Sequence, residues 1–384
     1  MKTKNKLLNR IFLGIFLLTS SVMFAQTNTS QLQTVCVGSL AEPYLINPPT
    51  PGSTYQWTLF SGGTIASGQG TSSITVDWGM IPGGPHILEV VETDASNCVG
   101  MPITVDVTLT LAAVASAGAD DNVCEGSTYT LGGTSASNYS AISWTTSGTG
   151  SFNPTNTLTP TYTPSAADIA AGNVLLTLTA TGNSPCSDAT SNMVLTIIPA
   201  ATANAGNPDN ICEGSTYTLT GTASNNIGVS WTTSGTGTFS GGSSLTPIYT
   251  PSAADIAAGN VLLTLTSTGN SPCSDATSNM VLTIIPAATA NAGNPDNICE
   301  GSTYTLSGTS ASNNTGVSWT TSGTGTFSGG NTLTPIYTPS AADIAAGNVT
   351  LTLTATGNSP CSDATSSILL TIDPSPITGP INHW

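Results

Sequence analysis

The sequence predicts an all-β protein, a tandem array of four small antiparallel β-sandwich domains. One observation is an internal repeat of about 87 residues, because the phrase YTPSAADIAAGNV starts at Tyr162, Tyr249 and Tyr337. A second is a set of paired cysteines with nearly constant separations of 62, 62, 61 and 62 residues. A third is a series of segments in which apolar and polar residues alternate. A fixed period of this length is typical of a chain of small domains and argues against a single active site.

Each repeat contains several segments that predict β-strands, such as STYTLTG, VSWTTSG, PIYTP, NVLLTLTAT and NMVLTII. They alternate in polarity and are rich in Thr, Val, Ile and Tyr, which fit a half-buried strand. About seven short strands in fewer than 90 residues predict a small antiparallel sandwich. One tryptophan in the third strand of each domain is expected in the core between the sheets: Trp57, Trp144, Trp231 and Trp319.

One helical turn is expected in each repeat, over SAADIAAGN. Ser165 and Asp168 have the spacing of a capping box, and Gly172 is a suitable C-terminal stop. The same spacing recurs in Ser252 with Asp255 and in Ser340 with Asp343. We therefore interpret these aspartates as helix caps rather than catalytic acids.

The repeats and the cysteine spacing predict the domain organisation. Residues 1–25 are expected to be a signal peptide and 26–112 a divergent first domain. Three repeats follow at 113–199, 200–286 and 287–374, and 375–384 is the start of a further repeat or a tail. The linkers are short and lack Gly-Ser tethers, which predicts a semi-rigid rod.

Eight cysteines in an exported chain predict disulfides: Cys36, Cys98, Cys124, Cys186, Cys212, Cys273, Cys299 and Cys361. One bond within each domain is the simplest pairing, because it leaves no cysteine over. Closing a loop of that size contributes roughly 4 kcal/mol in the chain-entropy model. Pairing across domains, such as Cys98 with Cys124, is the alternative.

The N-terminus and the charge balance limit the partners. All four basic residues precede an apolar run at residues 11–18, which is typical of a secretory signal peptide: Lys2, Lys4, Lys6 and Arg10. Cleavage after Ala25 leaves twenty carboxylates without any Lys or Arg. Nucleic-acid binding, phosphate clamps and attraction to anionic membranes are therefore not expected, nor is a transmembrane segment in the mature chain. The lack of Lys and Arg reflects either drift or resistance to proteases that cut after them.

Calcium is the one cofactor considered, since no other is expected. Acidic residues flank both cysteines of each repeat: Asp120, Glu125 and Asp188; Asp209, Glu213 and Asp275; Asp296, Glu300 and Asp363. If the cysteines of one domain pair, these oxygen ligands converge and suit Ca²⁺. Turn and cap roles are the favoured alternative.

Catalytic chemistry is not expected. The histidines are His86, predicted to be a solvated turn residue, and His383. No nucleophile motif lies beside His86, and no zinc spacing is present. Thr177, Thr179 and Thr181 place three hydroxyls on one strand face, which suits either glycan or ice contact or simple solvation.

The motifs CEGSTYTLSGT, TYTPSAADIAAGNVTLTLTATG and SPCSDATS resemble the immunoglobulin-like and PKD-like repeats of Bacteroidetes surface proteins. The first domain resembles the PKD-like variant. The resemblance covers residues 30–384 and implies a gliding-motility-associated, type IX-secreted adhesin. Such proteins usually end in a C-terminal sorting domain, whereas this sequence ends at PSPITGPINHW, so we expect either an N-terminal piece of a longer chain or a protein without that signal.

The expected function is a non-catalytic adhesin segment or rod-like stalk at the cell surface, with the periplasm as the alternative location. Its partner would be a glycan or protein ligand on an extracellular surface. The alternative function is an array of carbohydrate-binding modules.

Overall fold

The computed structural model of the protein describes residues 31–381. The predicted signal peptide and His383 lie outside this range. The described chain forms small β-sheets and three short helices, arranged as four consecutive units that each have their own hydrophobic core. The all-β fold class and the tandem immunoglobulin-like architecture are confirmed. The domain boundaries themselves stay a prediction.

Unit 1 contains seven strands in two sheets. They are β1 (Gln31–Cys36), β2 (Glu42–Leu45), β3 (Thr54–Leu59), β4 (Gly63–Ser67), β5 (Ser73–Trp78), β6 (Gly83–Thr93) and β7 (Ile103–Thr110). One sheet has the order β1-β7-β6-β3 and the other β2-β5-β4. The first strand pairs in parallel with the last, and the remaining pairs are antiparallel.

Unit 2 has a longer strand set and one helix. Its elements are β8 (Val114–Ser116), β9 (Asp121–Cys124), β10 (Tyr129–Thr130), β11 (Ser135–Ser137), β12 (Tyr139–Thr146), β13 (Ser151–Asn153), β14 (Thr161–Thr163), α1 (Ala166–Ala171), β15 (Asn173–Gly182) and β16 (Ala189–Ile198). The large sheet has the order β12-β15-β16-β9, and it is accompanied by β10-β14-β13 and the pair β11-β8.

Units 3 and 4 repeat this plan with the same sheet orders. Unit 3 comprises β17 (Thr202–Asn204), β18 (Asp209–Cys212), β19 (Tyr217–Thr218), β20 (Thr222–Ser224), β21 (Asn226–Thr233), β22 (Thr238–Ser240), β23 (Ile248–Thr250), α2 (Ala253–Ala258), β24 (Asn260–Gly269) and β25 (Ala276–Ile285). Unit 4 comprises β26 (Thr289–Asn291), β27 (Asp296–Cys299), β28 (Tyr304–Thr305), β29 (Ser310–Ser312), β30 (Asn314–Thr321), β31 (Thr326–Ser328), β32 (Ile336–Thr338), α3 (Ala341–Ala346), β33 (Asn348–Gly357) and β34 (Ala364–Asp373).

Alternating polarity decides which strand face enters each core. In β15, Val174, Leu176 and Leu178 are buried while the intervening residues face outward. These leucines pack in one cluster with Trp144 and Tyr162. The tryptophan predicted for the core is buried in all four units: Trp57, Trp144, Trp231 and Trp319.

The parallel pair in each large sheet fixes the two ends of a unit. In unit 2, β9 runs beside β16, and Cys124 lies opposite Ile198, the last residue of the last strand. The loop that holds Cys186 connects β15 to β16 at the opposite end of the sheet. We call the end that holds Cys124 the C-terminal end of the unit and the end that holds Cys186 the N-terminal end. A disulfide can form only between cysteines whose ends lie next to each other.

Candidate functional site at the junctions between units

Three disulfides join neighbouring units rather than residues of one unit. They are Cys36–Cys186, Cys124–Cys273 and Cys212–Cys361, with Cα–Cα distances of 5.1, 4.9 and 4.9 Å. In each bond the first cysteine of one unit is linked to the second cysteine of the next. Cys98 and Cys299 are free and exposed.

The prediction of one disulfide within each domain is therefore wrong. Cys124 and Cys186 lie at opposite ends of unit 2, because β16 begins just after Cys186 and ends opposite Cys124. A strand of ten residues spans roughly 30 Å. A disulfide requires a Cα–Cα distance below about 7 Å. Pairing across domains was the correct alternative, although Cys98 and Cys124 are not partners.

The junction between units 2 and 3 has two covalent connections, the peptide linker and the Cys124–Cys273 bond. The sulfur of Cys273 lies 3.3 Å from the carbonyl oxygen of Ile198, where β16 ends. The disulfide thus crosses the junction beside the linker. A linker bridged a second time by a disulfide cannot act as a free hinge.

Hydrogen bonds from both units fix the same linker. The N–H of Glu125 donates to the carbonyl of Ile198 at 2.8 Å. The Glu125 carboxylate accepts the N–H of Ala200 at 3.1 Å, and the carbonyl of Ala200 accepts from the Asn225 amide of unit 3 at 3.0 Å. Ala200 is therefore held from both sides.

The next junction repeats this arrangement. The N–H of Ala287 donates to the Glu213 carboxylate at 3.1 Å, and its carbonyl accepts from the Asn313 amide at 3.1 Å. The junction between units 1 and 2 keeps the disulfide but has Val37 where the repeats have glutamate. Its linker is held by one such amide, from Asn138 to the carbonyl of Ala112 at 3.1 Å.

The predicted calcium ligands do not form a cluster. Asp188, Asp275 and Asp363 each accept the N–H of the glycine that ends the preceding strand. The other positions serve the junctions or local turns and loop contacts: Glu125, Glu213, Glu300, Asp120, Asp209 and Asp296. Among residues 31–381, no group of three or more His, Cys, Asp and Glu side chains is placed to hold a metal ion. The within-domain pairing on which the calcium hypothesis depended does not form.

A buried carboxylate organises the middle of each repeat. Asp168 is only 2% exposed and completes the predicted capping box with Ser165. It also accepts hydrogen bonds from the Tyr162 hydroxyl at 2.7 Å and from the N–H groups of Thr149 and Gly150 at 3.1 and 3.0 Å. The capping prediction is confirmed, and the carboxylate additionally ties the helix to the TSGTG loop and the core tyrosine.

Hydrogen bonding keeps this carboxylate ionised. Burial acts to raise the pKa of Asp255, but the N–H of Ser252 and the hydroxyl of Tyr249 outweigh it and lower the pKa to about 2. Asp343 has a pKa of about 2 for the same reasons. Burial is also the main cause that raises the pKa of Tyr249 to about 12, with a further contribution from Asp255. No Lys or Arg is needed to balance these charges.

Two glycines of the TSGTG loop allow its backbone to lie close to the Asp168 carboxylate and the Tyr162 hydroxyl. A Cβ at Gly148 would overlap the Asp168 carboxylate, and a Cβ at Gly150 would overlap the Tyr162 hydroxyl. The loop therefore accepts only glycine at both positions without moving the buried pair.

His86 was predicted to be a solvated turn residue, which is wrong. The pairing of β6 with β7 is irregular after Gly83 and resumes where His86 faces Val107, so the histidine lies within a strand. Its Nδ1 is 2.9 Å from the Ser61 hydroxyl, a contact between residues 25 positions apart. Its buried Nε2 has no hydrogen-bond partner, so no acid orients the ring as a serine nucleophile requires.

The threonines of β15 lie on the outer face of the large sheet. Thr177, Thr179 and Thr181 are partly exposed, and Thr179 is flanked by Ser143 of β12 and Thr190 of β16. This face carries hydroxyl groups and no charged side chain. Such a polar face is common where an antiparallel sheet faces solvent.

A groove of about 500 Å³ opens in unit 2 beside β12, lined by Tyr139, Ile142, Asn156 and Leu158. In unit 3 the corresponding loop, between β22 and β23, contacts strand β21. The N–H of Trp231 donates to the carbonyl oxygen of Gly242 at 3.0 Å. Pro154 of unit 2 stands where unit 3 has Gly241 with a φ of 78°. Proline cannot adopt that φ, so the loop follows another path.

The described helices are all short, and none has the length and apolar composition to cross a membrane. Residues 23–100 match the PKD-like domain family, a range that includes strands β1 to β6 of unit 1 and ends before β7. No curated protein matches the chain.

Several solved structures of tandem domains are similar to this chain. The titin I-band fragment I67–I69 is 14% identical, covers 69% of this chain and 99% of its own, and has a TM-score of 0.42. Sidekick-1 immunoglobulin domains 1–4 are 14% identical over 91% and 98%, with a TM-score of 0.30. Drosophila N-cadherin EC1-4 is 10% identical over 90% and 98%, with a TM-score of 0.29.

Proposed function

We propose that the protein is a non-catalytic, exported stalk or adhesin segment at the cell surface, in which linked β-sandwich units hold a binding region away from the cell. The main supporting observation is the junction, where a disulfide and a twice-held linker join neighbouring units. Such a junction resists bending, which a spacer requires and an isolated globular domain does not.

The chemistry of the chain supports an extracellular role. Disulfides persist in oxidising compartments and are rare in the cytosol. The absence of Lys and Arg after residue 10 removes every site for trypsin-like proteases. The resemblance to Bacteroidetes repeat proteins supports type IX secretion and a part in gliding-associated adhesion, with a glycan or protein surface as the partner.

Proteinase K shaving of intact cells tests the location. We expect the band recognised by an antibody against the repeat to disappear while a periplasmic control protein survives. Survival of the repeat band together with that control would place the protein in the periplasm and contradict a surface stalk.

The second candidate function is glycan binding, which the unit 2 groove favours because an aromatic ring lies beside amide and hydroxyl groups. Retention of the purified protein on insoluble glycans, lost on Tyr139→Ala and kept on Ile227→Ala, would support it. Ile227 is an exposed residue of unit 3 and serves as the matched control. No retention on any glycan would leave the stalk as the better account.

A further inference from the structure

The junction disulfides shorten the covalent path from the first strand of the described chain, β1, to its last strand, β34. The path follows β1 to Cys36 and crosses the first bond to Cys186. It then follows the backbone to Cys212, crosses another bond to Cys361 and ends with β34. We call this path the covalent tether, and it consists of residues 31–36, 186–212 and 361–373.

The covalent tether crosses each unit once, along strands that are already extended. It uses β1 in unit 1, β16 in unit 2, β17 and β18 in unit 3, and β34 in unit 4. Cys36 lies opposite Thr110 and Cys212 opposite Ile285, so each of these segments reaches the C-terminal end of its unit. A strand rises roughly 3.3 Å per residue against a limit of roughly 3.6 Å. The tether is therefore close to its full length in the folded protein.

Most of each sandwich lies outside this path. The two bonds of the tether bypass residues 37–185 and 213–360. The bypassed segments contain the core tryptophan of every unit: Trp57, Trp144, Trp231 and Trp319. A pull applied at both ends of the tether passes through its backbone and its disulfides, and it does not pull on the bypassed backbone. The hydrogen bonds and the cores of the sandwiches therefore do not have to resist the tension.

The remaining disulfide, Cys124–Cys273, belongs to a second path that runs beside the tether. It joins the end of β9 in unit 2 to the loop before β25 in unit 3. Strand β9 pairs in parallel with β16 of the tether, and β25 pairs in parallel with β18 of the tether. This bond is not a link of the tether, although it joins units 2 and 3 as the other two bonds join their neighbouring units.

We propose that the protein carries tension at a nearly fixed length, because the disulfides transmit a pull from unit to unit along one extended segment of each unit. The tether contains about 46 residues and spans at most roughly 160 Å, whereas residues 31–373 without disulfides would span roughly 1,200 Å. The bypassed sandwiches stay folded under tension and keep their surfaces intact. The inference goes beyond the stalk proposal, since a stalk needs only to resist bending.

The test is single-molecule force spectroscopy on the full mature chain, with one handle at each end and no reductant. We expect the wild-type chain to release no hidden length. The double variant Cys212→Ser/Cys361→Ser breaks the tether, so the shortest covalent path then runs back through unit 2 and on through the whole of unit 4. This variant should release roughly 400 Å as the loaded units unfold. The purified chain is measured, so the result does not depend on where the protein lies in the cell.

The matched control is the double variant Cys124→Ser/Cys273→Ser. It removes one disulfide of the same kind from a junction of the same kind, but the tether does not include that bond. We expect this variant to release no hidden length, like the wild-type chain. Equal release from the two variants would overturn the proposal, because each disulfide would then act only by stabilising the units that it joins.

The wild-type chain gives a second measurement that does not depend on the folding of a variant. Adding dithiothreitol while the chain is held under tension should release a total of roughly 1,000 Å, because opening the bonds returns the bypassed residues to the path. Stepwise release before reduction, with the three bonds shown intact by mass spectrometry, would overturn the proposal. So would a chain that gains no length after reduction.

Discussion

Cys124 of unit 2 is bonded to Cys273 of unit 3, and not to Cys186 of its own unit. The bond lies beside the linker, where the Cys273 sulfur is 3.3 Å from the carbonyl oxygen of Ile198. The same relationship repeats along the chain, so the covalent cross-links stabilise the arrangement of neighbouring units and do not close any single sandwich.

Removing one junction bond should loosen that junction without unfolding either unit. We expect the double variant Cys124→Ser/Cys273→Ser to show a smaller radius of gyration and broader interdomain distances in small-angle scattering, because the linker becomes a hinge. The control is the double variant Cys98→Ser/Cys299→Ser, which removes two free thiols and no disulfide. It should scatter like the wild-type monomer. Both are measured with a reductant too weak to open the junction disulfides. Identical scattering curves for both variants would contradict a stiffening role.

Replacing the buried carboxylate of one repeat should destabilise that repeat. Asp255→Asn loses the ionised acceptor of the Ser252 N–H and the Tyr249 hydroxyl, both donors to the same oxygen at 2.9 and 2.8 Å. We expect a loss of about 2–4 kcal/mol in the free energy of unfolding of unit 3. Calorimetry should show one transition moving to lower temperature. Asp209→Asn, at an exposed position, is the control and should change the melting curve little.

The lowered pKa values of the same carboxylates determine how the free energy of unfolding should change in acid. Their folded pKa is lowered to about 2 in Asp255 and Asp343, from an ordinary value of 3.8. A lowered folded pKa contributes stability that is fully present above the unfolded pKa and is lost as pH falls toward the folded one. We expect urea midpoints to be flat from pH 7 to about pH 5 and to drop between about pH 4 and pH 2.

The matched control for the acid effect is the variant with asparagine at all three capping positions. It should be less stable at neutral pH and should show a smaller drop in acid. A wild-type midpoint that does not change down to pH 2 would mean that these groups do not titrate with folding.

Trypsin should leave the mature chain intact even when it is unfolded. No Lys or Arg follows Arg10, so neither denaturation nor reduction exposes a cleavage site. The measurement is the intact mass after trypsin digestion in 2 M urea with reductant, with chymotrypsin as the positive control. Trypsin fragments from within residues 26–384 would show that the chain differs from this sequence.

Much of the fold could be predicted from local signals. The tryptophans, the threonine-rich strands and the capping box of Ser165 with Asp168 all act through contacts that sequence spacing reveals. The cysteine pairing could not be predicted from spacing alone. It depends on the short strand β9, which was not recognised and which pairs in parallel with β16 and places Cys124 at the far end of the unit from Cys186.

The junction contacts were missed for a similar reason. Glu125 holds a linker residue 75 positions away, and Asn225 holds the same residue from the other unit. A hint was present in the recurrence of CEG, with glutamate directly after the first cysteine in each repeat. The Ser61–His86 contact carries no such pattern and becomes visible only when strands β3 and β6 are side by side.

The most direct test of the cross-unit disulfides is the partner of Cys36, found by chymotryptic digestion without reduction and mass spectrometry. The peptides that contain Cys186 and Cys273 differ only at Ala180 against Ser267, whereas those of Cys36 and Cys98 have sequences found nowhere else in the chain. We predict that the peptide QTVCVGSL is linked to TATGNSPCSDATSNM and that EVVETDASNCVGMPITVDVTL, which contains Cys98, is recovered with an alkylated thiol. A link between QTVCVGSL and EVVETDASNCVGMPITVDVTL would mean that the bonds lie within units, and the account of the junctions would be wrong.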